Sequence, residues 1–282
     1  MRPRSLVYLG TPAMSVPPLR ALHAAGFRIP LVVTNPDTRR GRGSSTAPSP
    51  VKVAAAELGL AVSHEVDDVL HAGADLGVVV AFGRIIRPHV LDGLDMVNLH
   101  FSLLPRWRGA APVERAILAG DERTGVDLMV VEEGLDTGAV HARVELAIGP
   151  DETAAELRAR LVAAGTDLLV SSLTAGLAEP TPQVGEPVYA HKIGPEDLHI
   201  DWSSPAEVIH RQVRVGGAWT TWAGERFKLW RTSLAPSGEG VVHPTGTHPI
   251  EMLEVQPAGK PRMAAGAWAN GARWSDGDRL GT

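Results

Sequence analysis

The chain has 282 residues, enough for one large domain or two moderate ones, and with 44% apolar and 21% charged residues it has the make-up of an ordinary globular protein. It contains no cysteine, which excludes disulfides, thiol nucleophiles and thiolate metal sites, and its formal net charge of −5 excludes nucleic-acid binding driven by overall charge, so any RNA contact must rest on a local patch. The opening MRPRSLVYLGTP carries two arginines and an apolar run too short for a signal peptide, and no stretch is long enough to span a membrane, so a cytoplasmic location is expected.

Ser5–Leu9 (SLVYL) reads as a buried first strand ended by Gly10, followed by a helix to about Ala25 that Gly26 stops. Ile29–Thr34 reads as a second strand, in which Pro30 limits where the hydrogen-bond ladder begins. Asn35–Pro50 (NPDTRRGRGSSTAPSP) has turn formers, small polar residues and arginines with no apolar period; a loop this long in a compact domain usually serves function or is disordered. Ser49 and Pro50 cap a helix running to about Leu58, with Gly59 beyond it. Gly77–Ala81, Val97–Phe101 and Val126–Val131 read as further strands. Thr153 and Glu156 form a capping box that opens a long helix with apolar residues at Leu157, Leu161, Leu168 and Leu169.

This alternation predicts an α/β fold: a Rossmann-like, mostly parallel sheet with helices on both faces, binding its ligand at the carboxyl ends of the strands. The expected catalytic domain is 1–178. The next segment, 179–198, has several prolines and no period and reads as an extended linker. Short alternating stretches such as Glu225–Trp230 and Glu251–Val255, set between Gly- and Pro-rich turns, make 199–282 a smaller β-rich domain.

Several common site motifs are missing. The turn GTPAMS after the first strand lacks the glycine spacing of a dinucleotide site, and there is no phosphate loop, nucleophile elbow or H-E-x-x-H. The histidines His23, His64, His191 and His243 show no ligand spacing, and no metal is expected.

The residues that point to chemistry lie in Met96–Pro112 (MVNLHFSLLPRWRGAAP). Asn98 and His100 are two apart in a strand pattern, so both project to one face at a carboxyl end. Such a pair is costly to bury unless hydrogen-bonded, and by spacing alone a satisfied polar pair at a strand end is an equal reading. The bulky loop that follows suits a binding surface and enters a helix at Pro112. Glu133–Gly138 (EGLDTG) follows the Val126–Val131 strand and offers Asp136 to the same edge, although an aspartate between glycines is more often a plain turn residue.

The stretch from Asn98 to Pro112 and Gly134–Gly138 (GLDTG) closely resemble the folate-dependent formyltransferase family, with Asn98, His100 and Asp136 matching its catalytic triad in order and spacing. The R-W-R-G-A-A-P continuation, the loop from Asn35 to Lys52 and L-E-V-Q-P-A-G-K at Leu253–Lys260 resemble the branch that acts on methionyl-tRNA. The resemblance runs from Leu6 to about Leu280. It implies transfer of a formyl group from 10-formyltetrahydrofolate, as co-substrate, to initiator methionyl-tRNA, with no obligate protein partner and no membrane. It implies that Asn98 and a His100 N–H stabilise the oxyanion, and that Asp136 holds the imidazole as a cation or relays protons. It places Ser102, Leu103, Leu104 and Pro105 against the folate, with Phe82, Ile85 and Ile86 lining the pterin pocket; for these last three, ordinary core packing is nearly as good a reading. Arg39, Arg40, Arg42 and Lys52 become tRNA contacts, the alternative being a solvated loop.

The resemblance implies an oligonucleotide-binding-type barrel for the C-terminal domain, here shortened at Val215–Gly216 and near Ser237–Val242. From Thr181 to Thr282 there are ten Lys and Arg against eleven Asp and Glu, so charge gives no basic stripe there. Two other functions stay open at this point: a formyltransferase or formyl-folate hydrolase acting on a small amine or water, and a non-catalytic folate- or RNA-binding relative.

Overall fold

The computed structural model describes residues 3–39, 46–275 and 277–281. The chain divides into two compact units, the first formed by 1–112, 123–146 and 159–190, the second by 113–122, 147–158 and 191–282.

The first unit is built on a seven-stranded sheet. Its strands are β1 (Ser5–Gly10), β2 (Arg28–Val33), β3 (Val62–Ser63), β4 (Leu76–Val80), β5 (Met96–His100), β6 (Arg123–Val130) and β7 (Val140–Ala147), in spatial order β7-β6-β5-β4-β1-β2-β3. β3, β2, β1, β4 and β5 run parallel, while β6 runs antiparallel to β5. Leu6, Val7, Tyr8 and Leu9 are all fully buried; since successive side chains point to opposite faces, both faces of β1 are covered. On one face Val7, Leu9, Val79 and Met96 pack with Val66, Val69 and Val90. On the other, the Tyr8 hydroxyl donates to the Ser15 carbonyl at 2.5 Å, next to the start of helix α1 (Val16–Ala24). Pro30 leaves its mark on the ladder: Ser5 pairs Arg28 and Val7 pairs Leu31, so Ile29 and Pro30 of β2 together oppose Leu6 alone in β1 where the proline has no N–H to give.

Helix α2 (Pro50–Glu57) begins as its capping residues dictate, with the Ser49 hydroxyl accepting from Lys52 N at 3.0 Å. Helix α3 (Pro88–Gly93) lies between β4 and β5, and α4 (Pro112–Ala119) follows the loop after β5. Helix α5 (Ala154–Ala175) opens on the Thr153–Glu156 capping box, in which Glu156 Oε2 accepts from Thr153 N and Oγ1 and Thr153 Oγ1 accepts from Glu156 N. Strand β7 is absent from the sequence reading because its residues, VHARVELA, are half-buried and partly charged.

The second unit carries an antiparallel sheet of β8 (Trp219–Trp222), β9 (Glu225–Ser233), β10 (Val241–His243), β11 (Ile250–Pro257) and β12 (Met263–Ala264), ordered β8-β9-β11-β10 with β12 also on β11. Among the described residues no pair joins β8 to β10, so the sheet is an open half-barrel. Trp230 sits where the β9–β11 register slips, between Leu229↔Val255 and Arg231↔Glu254. Helices α6 (Ala206–Val215) and α7 (Ala265–Ala272), neither read from the sequence, supply Ile209, Val213 and Trp268 to a core with Phe227, Leu229, Met252 and Val255. Among the described residues no helix is long and apolar enough to cross a membrane.

Candidate active site

Strand β5 delivers the two polar residues. His100 is almost fully buried and Asn98 half-buried, and in register they pair with Asp127 and Met129 of β6. His100 Nε2 lies 2.8 Å from the Trp107 carbonyl oxygen; a carbonyl only accepts, so Nε2 carries the hydrogen. The other ring nitrogen, Nδ1, is 3.6 Å from Asp136 Oδ2. That separation makes a charge pair when the ring is protonated but is beyond hydrogen-bond length. The Asn98 amide has no hydrogen-bond partner among the described residues.

Asp136 arrives on a tight turn and occupies the left-handed region with φ of +52°. Its Oδ2 accepts from Gly109 N at 2.7 Å. Gly138 makes the turn possible, because a Cβ there would lie 2.0 Å from the Val130 carbonyl oxygen. The Arg106–Gly109 loop therefore holds both members of the pair, the imidazole through Trp107 and the carboxylate through Gly109.

The loop from Ser102 to Pro105 is built from within. The fully buried Ser102 donates its hydroxyl to the Arg106 carbonyl at 2.6 Å, so its side chain shapes the loop. Leu104 is buried, while Leu103 and Pro105 are partly exposed. Leu104 N donates to Asp127 Oδ2 at 2.9 Å, and its carbonyl accepts from Arg143 Nη2 at 2.8 Å. Asp127 is fully buried and forks with Arg143, Oδ1 to Nε and Oδ2 to Nη2, both at 2.7 Å. That hydrogen bond and charge hold the Arg143 guanidinium above its ordinary pKa.

Of the other three residues expected near a pterin, Phe82 and Ile86 belong to the buried cluster beside Val7 and Val90, as core packing predicts, whereas Ile85 is 89% exposed. Beside them the Phe82 carbonyl accepts from Thr11 Oγ1 at 3.2 Å and from Asn35 Nδ2 at 3.4 Å, across the carboxyl ends of β1, β2 and β4. Asn35 Oδ1 is buried there without a partner among the described residues. In the arginine-rich loop, Thr38–Arg39 pairs antiparallel with Thr46–Ala47; Arg40 and Arg42 lie outside the described residues. Lys52 forms an ion pair with Asp37 at 2.8 Å, which ties the base of the loop.

Sequence reading missed the residues that hold this site. Asp127 gave a signal, a lone carboxylate in the apolar run VDLMVV, and Asn35 another, a polar residue just past a strand. Gln183, in the segment read as linker, gave none.

A mostly parallel sheet with an asparagine, a histidine and an aspartate gathered near its strand ends has the layout of an α/β enzyme with a polar active-site cluster. Comparison with known proteins makes that specific: residues 6–173 match the formyl transferase profile and 192–273 the formyl transferase C-terminal domain, and the chain belongs to the formyl transferase family. It is 42% identical to the methionyl-tRNA formyltransferase of Heliobacterium modesticaldum, covering 98% of this chain and 99% of that one. It is 43% identical to the enzyme of the same name from Arthrobacter sp., covering 94% and 96%. The first alignment runs over 314 positions against 282 residues here, so this chain carries gaps relative to that relative. The solved methionyl-tRNA formyltransferase from Clostridium thermocellum has a similar fold, with a TM-score of 0.59 at 15% identity over 90% of this chain and 97% of that one.

Proposed function

We propose that the protein transfers the formyl group of 10-formyltetrahydrofolate to the α-amino group of initiator methionyl-tRNA, in the cytoplasm, in support of translation initiation. The observation that carries this reading is the pairing of His100 Nδ1 with Asp136 Oδ2 at 3.6 Å, both held by one loop beside Asn98. The unpartnered Asn35 Oδ1, buried at the strand ends, fits a co-substrate whose pteridine carries N–H donors.

In this reaction the amine nitrogen bonds the formyl carbon, the bond from that carbon to folate N10 breaks, and a proton leaves the amine and reaches N10. The Asn98 amide, which has no described partner, serves the developing oxyanion, and one donor in a dry site contributes roughly 10²–10³ in rate. The His100 N–H assigned to the same oxyanion is then Nδ1–H, which also faces Asp136 Oδ2 at 3.6 Å, since the Trp107 carbonyl takes Nε2–H. Asp136 keeps Oδ1 for the proton of the incoming amine, Oδ2 being bonded to Gly109 N. The backbone of Ser102–Pro105 lies against the folate. Arg39, Arg40 and Arg42 contact the tRNA, and Lys52 supports their loop.

The test is formyl-methionine formation from charged initiator tRNA and 10-formyltetrahydrofolate. Asn98→Ala, His100→Ala and Asp136→Ala are each expected to remove turnover with an unchanged denaturation midpoint, and Arg42→Ala to weaken tRNA formylation more than folate binding. Near-normal rates in the first three, or folate turnover without formylated tRNA, would overturn the reading.

A further inference from the structure

Gln183 lies in the extended segment after α5, among residues that are mostly exposed, yet its amide is hydrogen-bonded at every valence. Nε2 donates to the Asp136 carbonyl and to the Gly138 carbonyl, both at 2.8 Å. Oε1 accepts from Arg108 Nη2 at 2.6 Å and from Arg108 Nε at 3.1 Å. A flipped amide would set its oxygen against two carbonyls and its nitrogen against a guanidinium, so these partners fix its orientation. The guanidinium on Oε1 also polarises the amide and strengthens both donations.

The segment is anchored on either side of this residue. Thr181 exchanges two backbone hydrogen bonds with Val140, at 2.8 and 2.9 Å. Val188 accepts from Arg108 N at 2.9 Å and donates to the Pro105 carbonyl at 3.2 Å, and Ala190 accepts from Ala110 N at 2.8 Å. Gln183 thus spans two loops: one places His100 through the Trp107 carbonyl, the other carries Asp136 in its left-handed conformation. One of its two donations goes to the carbonyl of the strained residue itself. None of its bonds reaches the hydrophobic core.

We infer that Gln183 is a positioning residue for formyl transfer, bridging Arg108 and the Asp136 turn so that the carboxylate meets the His100 imidazole. The inference rests on the site assignment in Proposed function. Its loss lowers kcat and leaves substrate binding as it was, because the groups it orients act on the reacting atoms.

The test compares Gln183→Ala, Gln183→Glu and Asp136→Ala with the parent enzyme in tRNA formylation, across pH, together with chemical denaturation. Gln183→Ala is expected to lower kcat by up to about 10²-fold, the scale of a misplacement of about 1 Å, with KM for both substrates and the denaturation midpoint unchanged. Gln183→Glu keeps an acceptor for Arg108 but offers no hydrogen to the two carbonyls until it is protonated. Its kcat relative to the parent should therefore be low at neutral pH and rise as pH falls. A Gln183→Ala enzyme with parental kcat, a loss confined to KM or stability, or a Gln183→Glu ratio that stays flat with pH overturns the inference. Parental kcat in Gln183→Ala beside a dead Asp136→Ala sinks this inference alone. An active Asp136→Ala sinks the site assignment beneath it.

Discussion

Asp136 shows how much of the site depends on single backbone conformations. Its φ of +52° is open to aspartate at modest strain, and the neighbouring glycines absorb what a side chain could not. The two glycines are not equivalent. A Cβ on Gly138 meets the Val130 carbonyl at 2.0 Å, which is sheet backbone that cannot step aside, whereas one on Gly134 meets only the Thr137 side chain, Oγ1 at 2.5 Å and Cγ2 at 2.8 Å, within the turn itself. Gly138→Ala is expected to destabilise by about 1–3 kcal/mol and to remove most formyl transfer, with Gly134→Ala retaining more of both. Denaturant midpoints and turnover of the two variants check this, and equal losses would mean that the turn is held by something other than these contacts.

At the scale of elements, the loop after β5 is placed by a clamp on its backbone. Asp127 reaches from β6 to the N–H of Leu104, and Arg143 from β7 to its carbonyl, while the two close on each other. The carboxylate is wholly buried and the guanidinium side chain 39% exposed, so the desolvation falls mainly on Asp127. Asp127→Asn keeps the shape but turns an N–H toward either Arg143 or the Leu104 amide. It is expected to cost about 1–3 kcal/mol in denaturation and to raise the folate KM more than it lowers kcat. A variant with unchanged folate KM would show that the Leu104 backbone is not part of the folate surface.

The same elements show what could be read from sequence. Among the parallel strands β1, β2, β4 and β5 were legible because buried strands are runs of apolar residues, though the two-residue β3 was not, and the helix starts were legible because Ser49, Pro50, Thr153 and Glu156 are local chemical signals. Asn98 and His100 were legible as a polar pair on one strand face, whereas Asp136 read as a turn residue until the family resemblance joined it to them. Strand β7 and helices α6 and α7 escaped: half-buried edges and short helices in a Gly- and Pro-rich region owe their form to partners distant in sequence. Gln183 escaped for the same reason, since its role exists only after Arg108 and Asp136 have met it.

For the molecule as a whole, two buried histidines contribute to the response to acid. His243 Nε2 accepts from Leu280 N at 3.1 Å and its Nδ1–H donates to the Pro244 carbonyl at 2.8 Å, with the Trp202 ring tilted against it at a centroid distance of 3.8 Å. Burial first, and the Arg279 charge with it, push its pKa down to about 4. His210 is also lowered, chiefly by burial. Above the ordinary histidine value of about 6.5 both folded and unfolded chains are neutral at these sites, and the stability is fully present. As pH falls from there toward 4, the unfolded chain binds protons that the folded chain refuses, so stability declines across that window. The unfolding temperature is expected to drop steadily over that range and to drop less in His243→Gln. Parallel curves for the two proteins would remove His243 from the account.

The central place of β1 has a consequence for how the chain is made. SLVYLG is synthesised before both of its neighbours, β2 following at Arg28–Val33 but β4 only at Leu76–Val80. Throughout that interval a strand that ends up sealed on both faces presents an unpaired apolar edge. Until translation has passed β4, the nascent chain is open to association with other chains, a hazard that holdase chaperones relieve.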